Sequence, residues 1–529
     1  MAKPTLKQKL DSGLLTLVKA EPLLFYVLIL AHLVPIISAN WFVTVDGPAH
    51  LYNSKLLLEL AAENGIISNF YAFNSWLLPN WTGHFLLAFF LKIVEASLAE
   101  KLVLSLYVVS LPLAFRYVLK VLKSKNLIAA YFIFPVTYSF LFYYGFHNFN
   151  FGLVFYFLTL ALWIKAKTTG FTPAKIAALV LLTLAVYFSH VFVLGFLFIT
   201  LFVLERDLVL SVFKNGENRI ENLKKLLVYF TIVSPALMLS VIYFLKTLES
   251  GGKTVYLPLT ELLDLISGTS AKAVDYGKEA IFTRWLFWVL TLNLVFGVLK
   301  LMTKKLKDSG FLNWFFLVIV SLALLFLLPD YTGKAGLISS RVSLFLYFFV
   351  VLAVSQIKLP KALNFINLFV AVYVSIALLE VYTKNSQATN KFVKEIEIAS
   401  RQIDANSIVY PFNVSDYWLY GHASNYLGAN KPLVILNNYE ASLNYFPLKW
   451  NIEEAPKIIL TGKQEGYAYG NKRNGVKSVD YVLILESDRT TQATKKKIEK
   501  LLHELKGTFI ELELKNTESV RLYKRIEMD

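Results

Sequence analysis

The chain has 529 residues, 56% of them hydrophobic and 15% aromatic against 17% charged, and its mean hydropathy is +0.53. Soluble domains are ~45–50% apolar with glycine counted and ~25% charged, so the composition excludes a large soluble core and points to a polytopic membrane protein. The formal charge of +16 comes from lysines and arginines in short loops, which argues against nucleic acid as a partner, and the absence of cysteine excludes disulfide or thiolate chemistry.

The amino end, 1–21, is basic, with Lys3, Lys7, Lys9 and Lys19, and reads as cytoplasmic. Apolar segments then recur at lengths suited to helices crossing a bilayer, ~17–25 residues. They fall at 22–40, 101–119, 127–144, 151–166, 174–189, 191–206, 226–246, 283–300, 311–328, 340–356 and 361–381. The first lacks a clear small-residue cleavage site and is long for a signal peptide, so it is read as a retained helix. Segment 82–97 carries Lys92 and Glu95. As a helix it reaches only ~24 Å, less than the ~30 Å hydrocarbon core, and is expected to lie along the outer surface.

Alternate loops are basic. They hold Lys120, Lys123 and Lys125, then Lys165, Lys167 and Lys175, then Arg206, Lys214, Arg219, Lys224 and Lys225. The last of them hold Lys300, Lys304, Lys305 and Lys307, and Lys358 and Lys361. Placing these in the cytoplasm predicts about eleven spans, with the amino end inside and the carboxyl end outside, in the plasma (inner) membrane. The transmembrane region is 22–381, including a first outer loop at 41–98. Composition turns polar from 382 to 529, where runs at 407–410, 433–436 and 481–485 read as buried strands. Thr491 to Leu505 reads as an amphipathic helix and Thr508 to Leu514 as another strand. The fold class is therefore a polytopic α-helical membrane protein with a C-terminal extracytoplasmic α/β domain.

This topology collects polar residues on the outer side. Asp46 and His50 follow the first span, His147 and Asn148 occupy the turn before 151–166, His190 joins two short helices, and Arg341 opens span 340–356. Ionisable groups at membrane depth are costly and generally face a cavity. An arginine can fork onto phosphate oxygens, and a carboxylate can take a proton from an acceptor hydroxyl. Each residue has a plainer reading. Asp46 would cap the helix that begins at Pro48, His50 would be a surface histidine, and the His147–Asn148 turn would be an interfacial anchor. His190 would be satisfied between helices, and Arg341 would snorkel to headgroups.

In layout, residues 20–210 resemble the GT-C superfamily of membrane glycosyltransferases, which includes oligosaccharyltransferase catalytic subunits, protein O-mannosyltransferases and lipid A aminoarabinose transferases. The resemblance rests on the acidic motif Val45-Asp46-Gly47-Pro48 after the first helix and on the stretch Pro79-Asn80-Trp81-Thr82-Gly83-His84. It rests also on the segment from Phe146 through Trp163-Ile164-Lys165 to Ser189-His190, and on the outer tail. It implies transfer of a sugar from a polyprenyl-phosphate-linked donor, with Asp46 as the first-loop acid and Arg341 on the donor phosphate. His50, His147, Asn148 and His190 would contact donor or acceptor. Many members carry two adjacent acids where this chain has Asp46-Gly47, and oligosaccharyltransferases hold a divalent metal with acids in the second outer loop, where this chain has none. Metal-independent chemistry is therefore expected, with no metal ligands and no cofactor. The acceptor would be a glycan, a lipid or a protein. The alternatives are a transporter or flippase for a lipid-linked saccharide, and a non-catalytic scaffold that presents the C-terminal domain.

Overall fold

The computed structural model describes residues 21–213, 219–247, 253–268, 272–303, 309–333, 335–451, 479–486 and 491–526. The basic stretch 1–20 and Lys214, Lys304, Lys305 and Lys307 lie outside the described residues. Among the described residues, seven helices are long and apolar enough to cross a membrane: Ala96–Val121, His147–Thr169, Arg219–Lys246, Tyr276–Met302, Gly310–Leu327, Ile338–Ser355 and Lys361–Arg401. Shorter apolar helical segments occupy Glu21–Ile37, Thr82–Leu91, Leu127–Tyr143 and Pro173–Ser189. Ile338–Ser355 is the central helix, with 89% of its apolar window buried, whereas Arg219–Lys246 is peripheral at 17%. The peripheral helices expose Leu227, Phe230, Met238, Trp285, Trp288, Phe365 and Phe369, the surface expected of helices solvated by lipid tails.

Several expected elements differ in shape. Segment 82–97 is not one surface helix. It is Thr82–Leu91, a short turn, and the start of the Ala96–Val121 helix. Segment 127–144 is broken into a 3-10 turn at Leu127–Ile133 and two one-turn helices, Phe134–Thr137 and Phe140–Tyr143. Pro135 stands in the first turn of the middle piece and supplies no backbone donor to the turn before it. The last of the long apolar helices does not stop at 381. It runs unbroken from Lys361 to Arg401, through the boundary drawn at 382, and contains neither glycine nor proline. Its polar carboxyl-terminal half is supported by the i,i+4 pairs Lys384–Glu380 and Arg401–Glu397, the spacing at which charged side chains meet on a helix.

The tail holds the strands β2 (Ile408–Asn413), β3 (Val434–Ile435), β5 (Tyr481–Leu485), β6 (Phe509–Leu512) and β7 (Val520–Arg525). They form a five-stranded sheet in the order β3-β2-β5-β7-β6. β2 runs parallel to β3 and to β5, whereas β7 is antiparallel to β5 and β6. β5 is buried along its whole length, as expected of a central strand, and β7 was not foreseen from the sequence. A helix at Gln492–Leu505 accompanies the sheet.

The first outer loop and the tail form one body. β1 (Tyr71–Phe73) pairs antiparallel with β4 (Leu448–Trp450), and the Tyr71 and Trp450 rings stack at 4.4 Å. Asn53 and Asn438 exchange reciprocal amide bonds of 3.0 and 2.8 Å in the buried interface. Tyr52 donates to the Leu433 carbonyl at 2.6 Å and accepts from the Ile435 amide at 3.0 Å. The carboxyl-terminal half of the last long helix joins the same body, because Trp41 donates its backbone amide to Asn390 and Tyr417 donates to Asn385. Phe392 stacks on Tyr420 at 3.9 Å. The tail aromatics therefore serve mostly to pack the tail onto the loop and helix beneath it.

Candidate functional site

Asp46 is held by a close crossing of two chain segments. The amides of Val45 and Asp46 donate to the carbonyls of Tyr143 and Tyr144 at 3.0 and 3.1 Å. Gly145 takes φ +87°, a conformation that side chains other than glycine rarely adopt, and a Cβ there would lie 2.7 Å from the amide nitrogens of both Asp46 and Gly47. The motif Val45-Asp46-Gly47 and the turn before His147 are thus one packed unit.

Asp46 occupies the N-cap position of helix Gly47–Ala61, yet its side chain makes no capping bond. Thr44 does that work, its Oγ1 accepting from the Gly47 amide at 3.1 Å. The carboxylate is left for other partners while only 7% exposed. His422 Nε2 stands 3.6 Å from it, and the Tyr439 hydroxyl lies beside it without a well-formed hydrogen bond. Burial pushes the Asp46 carboxyl up to about 7, against the favourable charge of His50. Burial also holds His422 down at about 4.

A cavity of about 280 Å³ opens at this point. Asp46, His50, Asn148, His190 and Arg341 all line it, together with Asn80, Tyr331, Leu337, His422, Tyr439, Tyr445 and Phe446. His147 does not. Its buried ring stands behind the wall, 5.3 Å from that of His50. Asn148 accepts from the Gly83 amide at 2.6 Å and so fixes the start of helix Thr82–Leu91. His190 accepts from the Phe192 amide through Nδ1 at 3.1 Å, which leaves Nε2 to carry the ring proton.

Arg341 is set by the turn ahead of its helix. Asp330 accepts from the Ser339 amide at 2.9 Å, its carbonyl accepts from Ile338, and Leu337 takes φ +55°. The guanidinium lies against Phe146 at 4.8 Å and Phe192 at 5.7 Å. Aromatic faces attract a cation but accept few N–H bonds, and Nε has no hydrogen-bond partner among the described residues. A buried donor without an acceptor is costly, so Arg341 is suited to an anion entering the cavity.

Beside the cavity a second group converges. Glu440 Oε1 is 2.6 Å from His50 Nδ1, and Oε2 is 2.7 Å from His84 Nε2, with all of these residues buried. Burial alone would raise Glu440, but the charges and contacts of His50 and His84 outweigh it and bring the carboxyl down to about 2. Burial opposes the proton on His50, and Glu440 overrides it, raising that ring.

The sequence reading missed Glu440 and His422, and it placed His84 only within a motif. No signal marks Glu440, because its partners are more than 350 positions away. Compared with protein-family models the sequence matches none, and a comparison with curated proteins finds no relative.

Proposed function

We propose that this chain is a membrane glycosyltransferase that moves a sugar from a polyprenyl-phosphate-linked donor to an acceptor hydroxyl. The observation that carries the reading is that Asp46 and Arg341, remote in sequence, line one cavity. Arg341 offers the donor phosphate a positive charge and an unpartnered N–H. Asp46 offers a buried carboxylate released from capping. In the reaction, Asp46 takes the proton of the acceptor hydroxyl and that oxygen bonds to the anomeric carbon. The bond from this carbon to the phosphate oxygen breaks, the electron pair leaves with the polyprenyl phosphate, and the resulting charge rests on Arg341. Attack opposite the leaving group inverts the anomeric centre.

The orientation in this reading rests on which helix ends meet. The ends joined by Ser124 to Ser355 and by Lys300 to the Lys358 carbonyl carry the basic loops, and the cavity lies at the other end. Basic loops favour the cytoplasm, so the cavity and the outer sheet are extracytoplasmic in this reading, and the seven long helices, the segments Glu21–Ile37, Leu127–Tyr143 and Pro173–Ser189 and the helix Val191–Phe213 together make eleven crossings. The polar groups cluster at one end of the bundle and not at its midplane, where a transporter site is expected.

The test is transfer of a labelled sugar from a synthetic polyprenyl-phosphate donor by purified protein in lipid nanodiscs. Asp46→Asn is expected to lose ~10²–10⁴-fold in rate, the usual contribution of a general base, while donor binding persists. Full activity in a well-folded Asp46→Asn protein overturns the mechanism.

A further inference from the structure

We infer that His50, His84 and Glu440 form a binding site for a divalent transition-metal ion of the zinc class, which fastens the outer domain to the first outer loop beside the cavity. The ligand atoms come from three separate segments, helix Gly47–Ala61, helix Thr82–Leu91 and the turn Glu440–Ser442. All three residues are buried and their donor atoms lie within 4.8 Å of one another.

The placement of the two rings supports the site. His84 Nδ1 lies 3.1 Å from the Asn80 carbonyl, and the His50 ring lies beside the turn at Gly145. A neutral imidazole donates through one nitrogen only, so His84 donating to Asn80 has the Nε2 lone pair available for an ion beside Glu440. A metal-bound histidine characteristically donates its other N–H to a carbonyl or carboxylate in this way.

With no ion bound, a proton on each ring ties it to Glu440, His84 Nε2 to Oε2 at 2.7 Å and His50 Nδ1 to Oε1 at 2.6 Å. A bound ion displaces those two protons and takes their place between the rings and the carboxylate. Donors around a tetrahedral ion with ~2.0–2.1 Å bonds stand ~3.3 Å apart, and the trio spans from 2.6 Å to 4.8 Å. Modest movement of the Glu440 carboxylate and the rings brings all three into range.

Two imidazoles and one carboxylate suit zinc and its neighbours, whereas magnesium and calcium favour oxygen ligands. The three segments belong to the loop and to the tail, so the ion adds a crosslink where β1 pairs with β4. Its retention does not depend on what the cavity binds.

The experiment is metal analysis of the full-length protein in detergent, followed by chelation and reloading with Zn²⁺ or Co²⁺. About one ion per chain is expected, with visible Co²⁺ bands of the tetrahedral type and a higher melting temperature in the loaded protein. Glu440→Gln and His84→Ala are expected to weaken ion binding by ~100-fold or more, beyond the 10–100-fold typical of outer-shell partners. His190→Ala, which is not one of the three ligands, keeps the ion. Wild-type protein that takes up no Zn²⁺ or Co²⁺ after chelation and reloading overturns the inference. So does binding that is unchanged in Glu440→Gln. Should the variants fail to fold, the wild-type uptake and melting shift still decide.

Discussion

Gly145 crosses Asp46 so closely that the two residues exclude any side chain between them, a Cβ on Gly145 lying 2.7 Å from the Asp46 amide nitrogen. The same glycine holds φ +87°. Gly145→Ala thus meets a left-handed backbone costing ~1–2 kcal/mol and a clash with backbone that cannot rotate away. The expected result is a loss of at least ~2 kcal/mol, read as a lowered melting temperature, together with loss of the proposed transfer activity. An alanine variant with wild-type melting would mean that the crossing is looser than described.

Gly47 admits no second acid. A Cβ there would collide with Thr44 Oγ1, the atom that caps the Gly47 amide. Gly47→Asp is expected to be destabilised and inactive, not improved. Thr44→Ala alone is expected to cost ~1 kcal/mol, the usual value of a lost N-cap. The double variant Thr44→Ala/Gly47→Ala should be less destabilised than the sum of the two changes, because each relieves the other's conflict. Additive melting shifts would remove the Thr44 contact as the cause.

Arg341 is not replaceable by lysine. Its planar head packs against Phe146 and Phe192, and an ammonium cannot stack or fork in the same way. In the proposed reaction both Arg341→Lys and Arg341→Ala raise the KM for the donor by ~10–100-fold, the scale of one lost charge-assisted hydrogen bond. A lysine variant with unchanged donor KM would show that only the net charge matters.

The Asn53–Asn438 pair tests whether the first outer loop and the tail are one body. Removing one amide leaves the other buried without its partner, at ~1–3 kcal/mol. Asn438→Ala is expected to increase proteolytic release of the tail domain, and Asn53→Ala to do the same. The double variant should be hardly worse than either single one. Release rates that add would mean that the bonds act separately.

Much of the cavity was legible because charge is conspicuous in an apolar chain. Asp46 and Arg341 are costly at membrane depth, and loop charge assigned them to the same end. The rest depended on contacts that leave no local period. Glu440 sits in a polar tail, where one acid among many carries no signal, and its partners are remote in sequence. The competition between Thr44 and Asp46 for the Gly47 amide is decided by backbone geometry and not by residue type. The shift to polar residues at 382 falls inside the helix Lys361–Arg401, because a change of composition along a helix carries no break in its backbone pattern. Apolar content gave 127–144 as a span, while the break at Pro135 is a matter of backbone donors.

The unbroken helix Lys361–Arg401 has a mechanical consequence. Its 41 residues make a rod about 60 Å long at ~1.5 Å per residue, and no glycine or proline provides a joint. A tilt of ~5° at the inner end swings the far end by about 5 Å. The first loop and the tail are bonded to the far half of this rod, so in the proposed enzyme the whole body would tilt with it as one piece, and lipid thickness, which sets helix tilt, would set its height over the bilayer.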